Sequence, residues 1–150
     1  TTLAALVAED HPFAAGANHF GVADLAALAK HTHKFESRYL DGLIGLYPQT
    51  ADLYRERSPI THAARLTTPI IVLQGDEDEV VPPAQSEAIV AAAAAAGVPH
   101  AYLLFEGEQH GFRRAENLER ALEAELAFYG SVLGFTPADD IPPIDIVRPD

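Results

Sequence analysis

Apolar positions along the chain repeat with two different periods, and the short continuous runs predict strands. The clearest run covers residues 70–73, which are Ile-Ile-Val-Leu, rich in β-branched side chains and too short for a helix. Residues 101–105 form a second apolar run, and residues 13–22 form a third that is interspersed with glycine. Such runs are typical of parallel strands that are buried on both faces. The pattern therefore predicts three buried strands.

Apolar residues spaced three or four apart predict helices around these strands. The spacing is clear where Phe35, Tyr39 and Leu43 fall on one helical face. The alanine run at residues 91–96 also predicts a helix, because alanine is the strongest helix former. The predicted helices cover residues 1–8, 23–29, 35–46, 51–57, 84–96 and 117–133. Ser58-Pro59 interrupts the helical pattern after the fourth helix, and a short polar connection to the second strand is predicted there.

The order of these elements predicts an α/β fold, with a mostly parallel sheet and helices on both faces. In such sheets, catalytic groups lie at the carboxyl ends of the strands. Residues 1–134 are predicted to form this unit. The Pro-rich, acidic residues 135–150 show no clear period and are predicted to be an extended tail or surface strap.

The composition narrows the chemistry that the chain can perform. It contains no cysteine, which excludes disulfides and a cysteine nucleophile and is compatible with a reducing compartment. A net charge of -12, with only ten Lys and Arg residues, makes nucleic acids and anionic membranes poor partners. No apolar run is long enough to span a bilayer, and the first residues lack the basic start and cleavage site of a signal peptide. We expect a cytoplasmic protein without a cofactor that acts on peptides, esters or other small molecules.

Two polar loops, each leaving the carboxyl end of a predicted strand, contain the candidate chemistry. Residues 74–82 carry Asp78 on a turn, and residues 106–112 carry His110 between glycines. A serine hydroxyl needs a neutral imidazole to take its proton, and the imidazole needs a carboxylate to fix its tautomer and stabilise its cation. Asp78 and His110 are therefore predicted to be a catalytic acid and base.

The serine that would complete this set is not evident in the chain. In α/β-hydrolases the triad runs in the order Ser, Asp or Glu, His, so the nucleophile should precede Asp78. None of the four serines lies in a G-x-S-x-G elbow: Ser37, Ser58, Ser86 and Ser131. In this fold the elbow serine immediately precedes a helix of small residues. Residues 1–8 are predicted to be that helix. We therefore expect a fragment whose nucleophile lies upstream of Thr1 and which is inactive by itself.

Four segments together form a specific pattern: Thr1-Thr2-Leu3-Ala4-Ala5-Leu6, Ser58-Pro59-Ile60, Gln74-Gly75-x-x-Asp78-x-x-Val81-Pro82 with Gln85-Ser86, and Glu106-Gly107-x-x-His110-Gly111-Phe112. The chain from Thr1 to about Gly134 resembles the C-terminal part of the catalytic domain of the prolyl oligopeptidase family, especially its acylaminoacyl-peptidase-like and dipeptidyl-peptidase-like branch. The resemblance implies an α/β-hydrolase fold and serine peptidase activity, with Asp78 as triad acid and His110 as base. It also implies an upstream serine elbow and a β-propeller that can precede the catalytic domain.

Two other functions remain open at this point. An α/β-hydrolase esterase or lactone hydrolase would use the same Asp78 and His110. A non-catalytic binding or oligomerisation module is the alternative from another class. Part of a doubly wound sheet would expose an apolar edge, so we expect the rest of its own catalytic domain as a partner, with a homo-oligomer as the alternative. Thr1 is disfavoured as an N-terminal nucleophile, because those enzymes place the threonine on a strand.

The remaining acidic and histidine clusters are predicted to have no catalytic or metal-binding role. The carboxylates beside Asp78 could ligate a hard cation, but no ligand pattern spans the loop, and we expect solvated turn residues: Asp76, Glu77 and Glu79. His31 and His33 flank Thr32 and could share a metal, although histidines two apart near helix boundaries are more often surface residues.

Overall fold

The computed structural model of the chain describes residues 1–31 and 38–148. Three parallel strands form one sheet in the order β1-β2-β3, namely β1 (Gly16–His19), β2 (Ile70–Gly75) and β3 (His100–Phe105). The α-helices of the described part are α1 (Thr2–Leu6), α2 (Leu25–His31), α3 (Tyr39–Leu43), α4 (Ala51–Arg57), α5 (Pro83–Ala95) and α6 (Ala115–Leu133). The predicted α/β fold with a parallel sheet is confirmed.

The register of the sheet brings the ends of β2 and β3 to the same edge. Ile70 pairs with His100, and Gly75 pairs with Phe105, so the two strands begin and end together. Their outgoing loops therefore leave side by side. These are the loops that carry the two predicted site residues.

Alternate side chains of β2 point to opposite faces of the sheet, and both faces are covered. Ile70 and Val72 pack with α1 and α5, whereas Ile71 and Leu73 pack with α6. All four side chains are fully buried. At about 25 cal/mol per Å² of apolar surface removed from water, this central strand is a main source of stability. It also gives the two loops a rigid base.

A third apolar cluster supports the loop after β2. It joins helices α2, α3 and α4 to that loop through Leu28, Leu40, Tyr54 and Val81. Tyr54 is fully buried, and its hydroxyl donates to the carbonyl of Gly45 at 2.9 Å. The helical region between β1 and β2 therefore holds the loop that carries Asp78.

The start of α2 differs from the prediction, which placed it at Ala23. The N–H groups of Ala23 and Asp24 donate to Oε1 of Gln85 on α5. Oδ1 of Asp24 in turn accepts from the N–H groups of Ala26 and Ala27 in the first turn. Asp24 thus caps the helix, which begins at Leu25. A cap that depends on α5 could not be located from local spacing.

Two other segments also depart from the predicted elements. The prediction of a short polar connection directly after Ser58 is wrong, because Pro59–Arg65 forms a 3-10 helix. Pro59 starts it, where the missing N–H of proline leaves no bond unmade. The helix predicted at residues 35–46 is observed as Tyr39–Leu43, and Phe35 lies outside the described residues.

Residues 135–148, which follow α6, form no helix or strand apart from an isolated bridge at Val147. Gly134 ends α6 with φ 79°, a left-handed conformation that favours glycine. Further on, Val147 exchanges two backbone hydrogen bonds with His100 at the start of β3, at 3.0 and 2.8 Å. Arg120 on α6 donates to the carbonyls of residues 142 and 143. These contacts tie the tail to the sheet and to α6.

Among residues 1–31 and 38–148, no helix is both long enough and apolar enough to cross a bilayer.

Candidate active site

Asp78 and His110 meet where the loops after β2 and β3 leave the sheet. Nδ1 of His110 lies 2.9 Å from Oδ2 of Asp78. A carboxylate oxygen only accepts, so Nδ1 carries the proton and donates it, and Nε2 keeps its lone pair. The Asp78 side chain is fully buried, whereas that of His110 is 41% exposed. The geometry places a partly exposed imidazole against a buried carboxylate.

The carboxylate of Asp78 is held by hydrogen bonds to both of its oxygens. Oδ1 accepts from the N–H groups of Val80 and Val81 at 2.9 and 2.8 Å. Oδ2 accepts from Nε2 of Gln74 at 3.1 Å as well as from His110. Four donors thus surround a carboxylate that is shielded from water. Asp78 therefore has one fixed orientation.

Gln74 and Ser86 extend this network into the protein interior. Both side chains are fully buried, Gln74 on β2 and Ser86 on α5. The hydroxyl of Ser86 donates to Oε1 of Gln74 at 2.7 Å. No role for Gln74 follows from the sequence, because nothing in a strand sequence shows which polar side chain will meet a later loop.

The two loops contact each other through their backbones. Gly75 has no Cβ, and an added Cβ would come within 2.4 Å of the carbonyl oxygen of Glu108. That same oxygen accepts from the N–H of Glu77 at 2.9 Å. Oδ1 of Asp76 accepts from the N–H of Gly107 at 2.7 Å. Asp76 was predicted to be a solvated turn residue, but it fastens one loop to the other.

Glu108 fixes the loop that carries His110 to the start of α6. Its buried carboxylate accepts from the side chain of Asn117 at 2.8 Å and from the N–H groups of Arg113 and Arg114 at 2.9 and 3.0 Å. The Asn117 hydrogen bond, the two N–H groups and the positive Arg114 lower the pKa of Glu108 despite the opposing effect of burial. Glu108 was not among the predicted site residues. Nothing in the local sequence distinguishes a buried glutamate from an exposed one in a charged loop.

Aromatic rings pack beside His110. The ring of Phe20, which follows β1, lies 5.4 Å from the imidazole and 4.8 Å from the ring of Phe112, measured between centroids. Phe20 has φ 51°, a left-handed conformation that is unusual for a non-glycine residue and costs on the order of 1–3 kcal/mol. A cleft of about 390 Å³ adjoins the imidazole and is lined by Glu77, Glu79, Val80, Gln109, His110 and Arg113.

The serines of the described part form hydrogen bonds with residues other than His110. The hydroxyl of Ser58 accepts from the N–H of Leu25 and donates to the carbonyl of Tyr54. Ser86 donates to Gln74, and Ser131 accepts from Arg148. Ser37 lies outside the described residues. None of the three described serines is hydrogen-bonded to His110.

No cluster of three or more His, Asp or Glu side chains suited to a metal ion occurs in the described ranges 1–31 and 38–148. Glu77 and Glu79 are exposed beside the cleft. The histidine pair considered as a metal site includes His33, which falls outside the described residues.

Comparisons with known proteins agree with this architecture. A sequence model of the prolyl oligopeptidase family matches residues 1–136. The structure of a puromycin-hydrolyzing peptidase of Mycobacterium tuberculosis is 51% identical, with a TM-score of 0.90, over 97% of this chain and 22% of that one. Dipeptidyl peptidase family member 6 of Caenorhabditis elegans is 33% identical over 77% of this chain and 16% of its own length.

A more distant relative shares the fold alone. The acylaminoacyl peptidase of Pyrococcus horikoshii superposes with a TM-score of 0.77 at 20% identity, over 89% of this chain and 22% of that one. The chain thus spans 22% of the length of the two solved structures and 16% of the C. elegans protein. Because the family match covers nearly the whole chain and agrees with its parallel α/β sheet, the chain belongs to the prolyl oligopeptidase family of serine peptidases.

Proposed function

We propose that the protein containing this chain hydrolyses peptide bonds with a Ser-Asp-His triad in which Asp78 is the acid and His110 the base. The observation that carries the proposal is the 2.9 Å hydrogen bond from Nδ1 of His110 to the buried Asp78. It gives the imidazole the tautomer in which Nε2 can accept a proton. The nucleophilic serine belongs to residues that precede Thr1 in the longer protein. The isolated 150-residue chain is therefore inactive.

Each group has a defined part in the reaction. Nε2 of His110 takes the proton of the serine hydroxyl as its oxygen attacks the scissile carbonyl carbon. The resulting oxyanion is stabilised by hydrogen-bond donors, some of them backbone N–H groups near the serine. His110 then gives its proton to the leaving amine, and an acyl-enzyme remains. A water molecule, deprotonated by His110, then attacks the acyl carbon, and His110 returns the proton to the serine oxygen as the ester bond breaks. Asp78 stays ionised throughout and stabilises the imidazolium.

The substrate class rests on the relatives. The puromycin-hydrolyzing peptidase at 51% identity makes puromycin a rational test compound beside peptide substrates. The other partner in this proposal is the preceding part of the same catalytic domain, which would cover the sheet edge at β1. A cytoplasmic location and self-association remain predictions of the sequence.

Labelling with a fluorophosphonate probe, which reacts with activated serines, tests the proposal. We expect the full-length protein to be labelled, and the isolated 150-residue chain to remain unlabelled. His110→Ala should abolish labelling of the full-length protein. His62→Ala is the matched control, because His62 lies in the 3-10 helix and is hydrogen-bonded to the carbonyl of Glu56. Labelling of the isolated chain, or persistent labelling of His110→Ala, would contradict the proposed triad.

A substrate panel on the full-length protein separates the peptidase from the esterase. It should contain short peptides, puromycin and simple esters. We expect turnover of at least one amide substrate. Strong turnover of esters with none of any peptide or of puromycin would replace the peptidase proposal with the esterase or lactone hydrolase alternative.

A further inference from the structure

Gln74 is a polar side chain near the carboxyl end of β2, whose six residues are all buried. The four residues that precede it on β2 are apolar, and its own side chain is fully buried. Burying an amide is unfavourable unless its hydrogen bonds are made inside the protein. Nε2 of Gln74 lies within hydrogen-bond distance of Oδ2 of Asp78 and of the carbonyl of Val81, both at 3.1 Å. The amide therefore replaces water on the carboxylate and on its loop.

The orientation of this amide is determined by its neighbours. The Asp78 carboxylate and the Val81 carbonyl can only accept hydrogen bonds, so the nitrogen of Gln74 must face them. The oxygen of Gln74 then faces Ser86, whose hydroxyl must be the donor at 2.7 Å. Ser86 is fully buried in the first turns of α5. The Ser86 hydroxyl thus holds the oxygen end of the amide while the nitrogen end meets Asp78.

The contact matters because it acts on the oxygen that binds His110. Oδ2 of Asp78 has two donors, Nε2 of Gln74 and Nδ1 of His110, whereas Oδ1 is held by its own loop. Loss of the Gln74 donor would leave Oδ2 with the histidine alone. Networks of this kind in a low-dielectric interior are worth more than isolated bonds.

We propose that Gln74 and Ser86 are positioning residues for the reaction: Ser86 fixes the amide of Gln74, and Gln74 fixes the Asp78 oxygen that orients His110. This inference rests on the proposed function of Asp78 and His110. Neither residue touches the substrate, so their effect should appear in kcat rather than in KM. It should also depend on the presence of an ionised carboxylate at position 78.

Ser86→Ala in the full-length protein tests the proposal, with Ser58→Ala as the matched control. Both serines are buried, and each donates one hydrogen bond of 2.7 Å. The bonds of Ser58 connect α2 and α4, and neither involves Asp78 or a hydrogen-bond partner of its carboxylate. We expect Ser86→Ala to lower kcat about tenfold with KM unchanged, and Ser58→Ala to lower Tm similarly while kcat stays within about twofold. Equal effects of the two variants on kcat would overturn the proposal.

A double-mutant cycle tests whether the effect passes through Asp78. If it does, Ser86→Ala should cost almost nothing further in the Asp78→Asn background. Full additivity of the two changes would show that Ser86 acts by another route and would overturn the proposal. The substrate used is the amide that the wild-type protein turns over in the panel above.

A proton NMR measurement separates failure of this inference from failure of the proposed function. The hydrogen on Nδ1 of His110 should give a strongly downfield resonance, identified by its loss in His110→Ala. We expect Ser86→Ala to shift or broaden this resonance and Ser58→Ala to leave it unchanged. If the wild-type protein hydrolyses nothing, the proposed function fails and this spectrum alone decides the inference. A resonance that is absent from wild type, or unchanged in Ser86→Ala, overturns it.

Discussion

Gly75 lies against the backbone of Glu108, and a methyl group on its Cα would come within 2.4 Å of the Glu108 carbonyl oxygen. The two residues belong to the loops that carry Asp78 and His110. Their close approach places the N–H of Glu77 2.9 Å from the same oxygen. The separation of Asp78 from His110 is therefore set by a backbone contact that only glycine permits.

Replacing Gly75 with alanine should push the two loops apart. The added Cβ would meet backbone atoms of Glu108 and Gln109, which cannot rotate away as a side chain can. We expect a loss of about 1–3 kcal/mol in the free energy of unfolding, together with reduced fluorophosphonate labelling of the full-length protein. Gly42→Ala is the control, because nothing lies within 4 Å of its Cβ position in α3. Equal stability of the two variants in denaturant titrations would refute this account.

Asp78→Asn should remove the negative charge and place an amide N–H against a hydrogen-bond donor. All four contacts of the Asp78 carboxylate are donors, so an amide nitrogen would face a donor in either orientation. We expect kcat of the full-length protein to fall by about 10⁴-fold. Asp52→Asn changes an exposed carboxylate paired with Arg55 and should leave kcat unchanged. A fall of less than about tenfold for Asp78→Asn would exclude Asp78 as the triad acid.

Glu108 should make the stability of the protein sensitive to acid. The pKa of Glu108 is lowered in the folded state, chiefly by the hydrogen bond from Asn117. The ionised carboxylate therefore contributes to the free energy of unfolding above the ordinary pKa of 4.5. This contribution is lost as the pH falls through the folded-state pKa. Urea titrations of wild type and Glu108→Gln should therefore differ most at neutral pH and converge below pH 4.5. Glu119→Gln, at an exposed position, is the control, and its difference from wild type should not change with pH in this way. A difference that does not change with pH would contradict the assigned cause.

The tail should stabilise the sheet through its backbone pairing with β3. Val147→Pro removes the N–H that donates to the carbonyl of His100 at 2.8 Å, and we expect a loss of about 1–2 kcal/mol in unfolding free energy. Val147→Ala keeps the N–H, and the exposed side chain contributes little packing. Thermal unfolding of both variants distinguishes the two effects. If they have the same Tm, the pairing contributes nothing to stability.

The sequence predicted the strands and most helices because their signals are local. The run at residues 70–73 became the core of β2, and α4 has the predicted bounds of Ala51–Arg57. Helix starts that depend on distant partners were displaced, as at Leu25, where Gln85 and Asp24 decide the boundary. The 3-10 helix at Pro59–Arg65 was missed, because a proline that ends one helix can also begin another.

The sequence by itself determined the fold class and selected Asp78 and His110, because glycines and prolines at fixed offsets mark loops at strand ends without reference to the rest of the chain. Only the tertiary structure decided which buried groups support them. Gln74 on β2 donates to Asp78, Ser86 on α5 donates to Gln74, and Glu108 accepts from the N–H of Arg113 just before α6. Such partners are chosen by distances across the folded chain, and a pattern along the sequence contains no such distances.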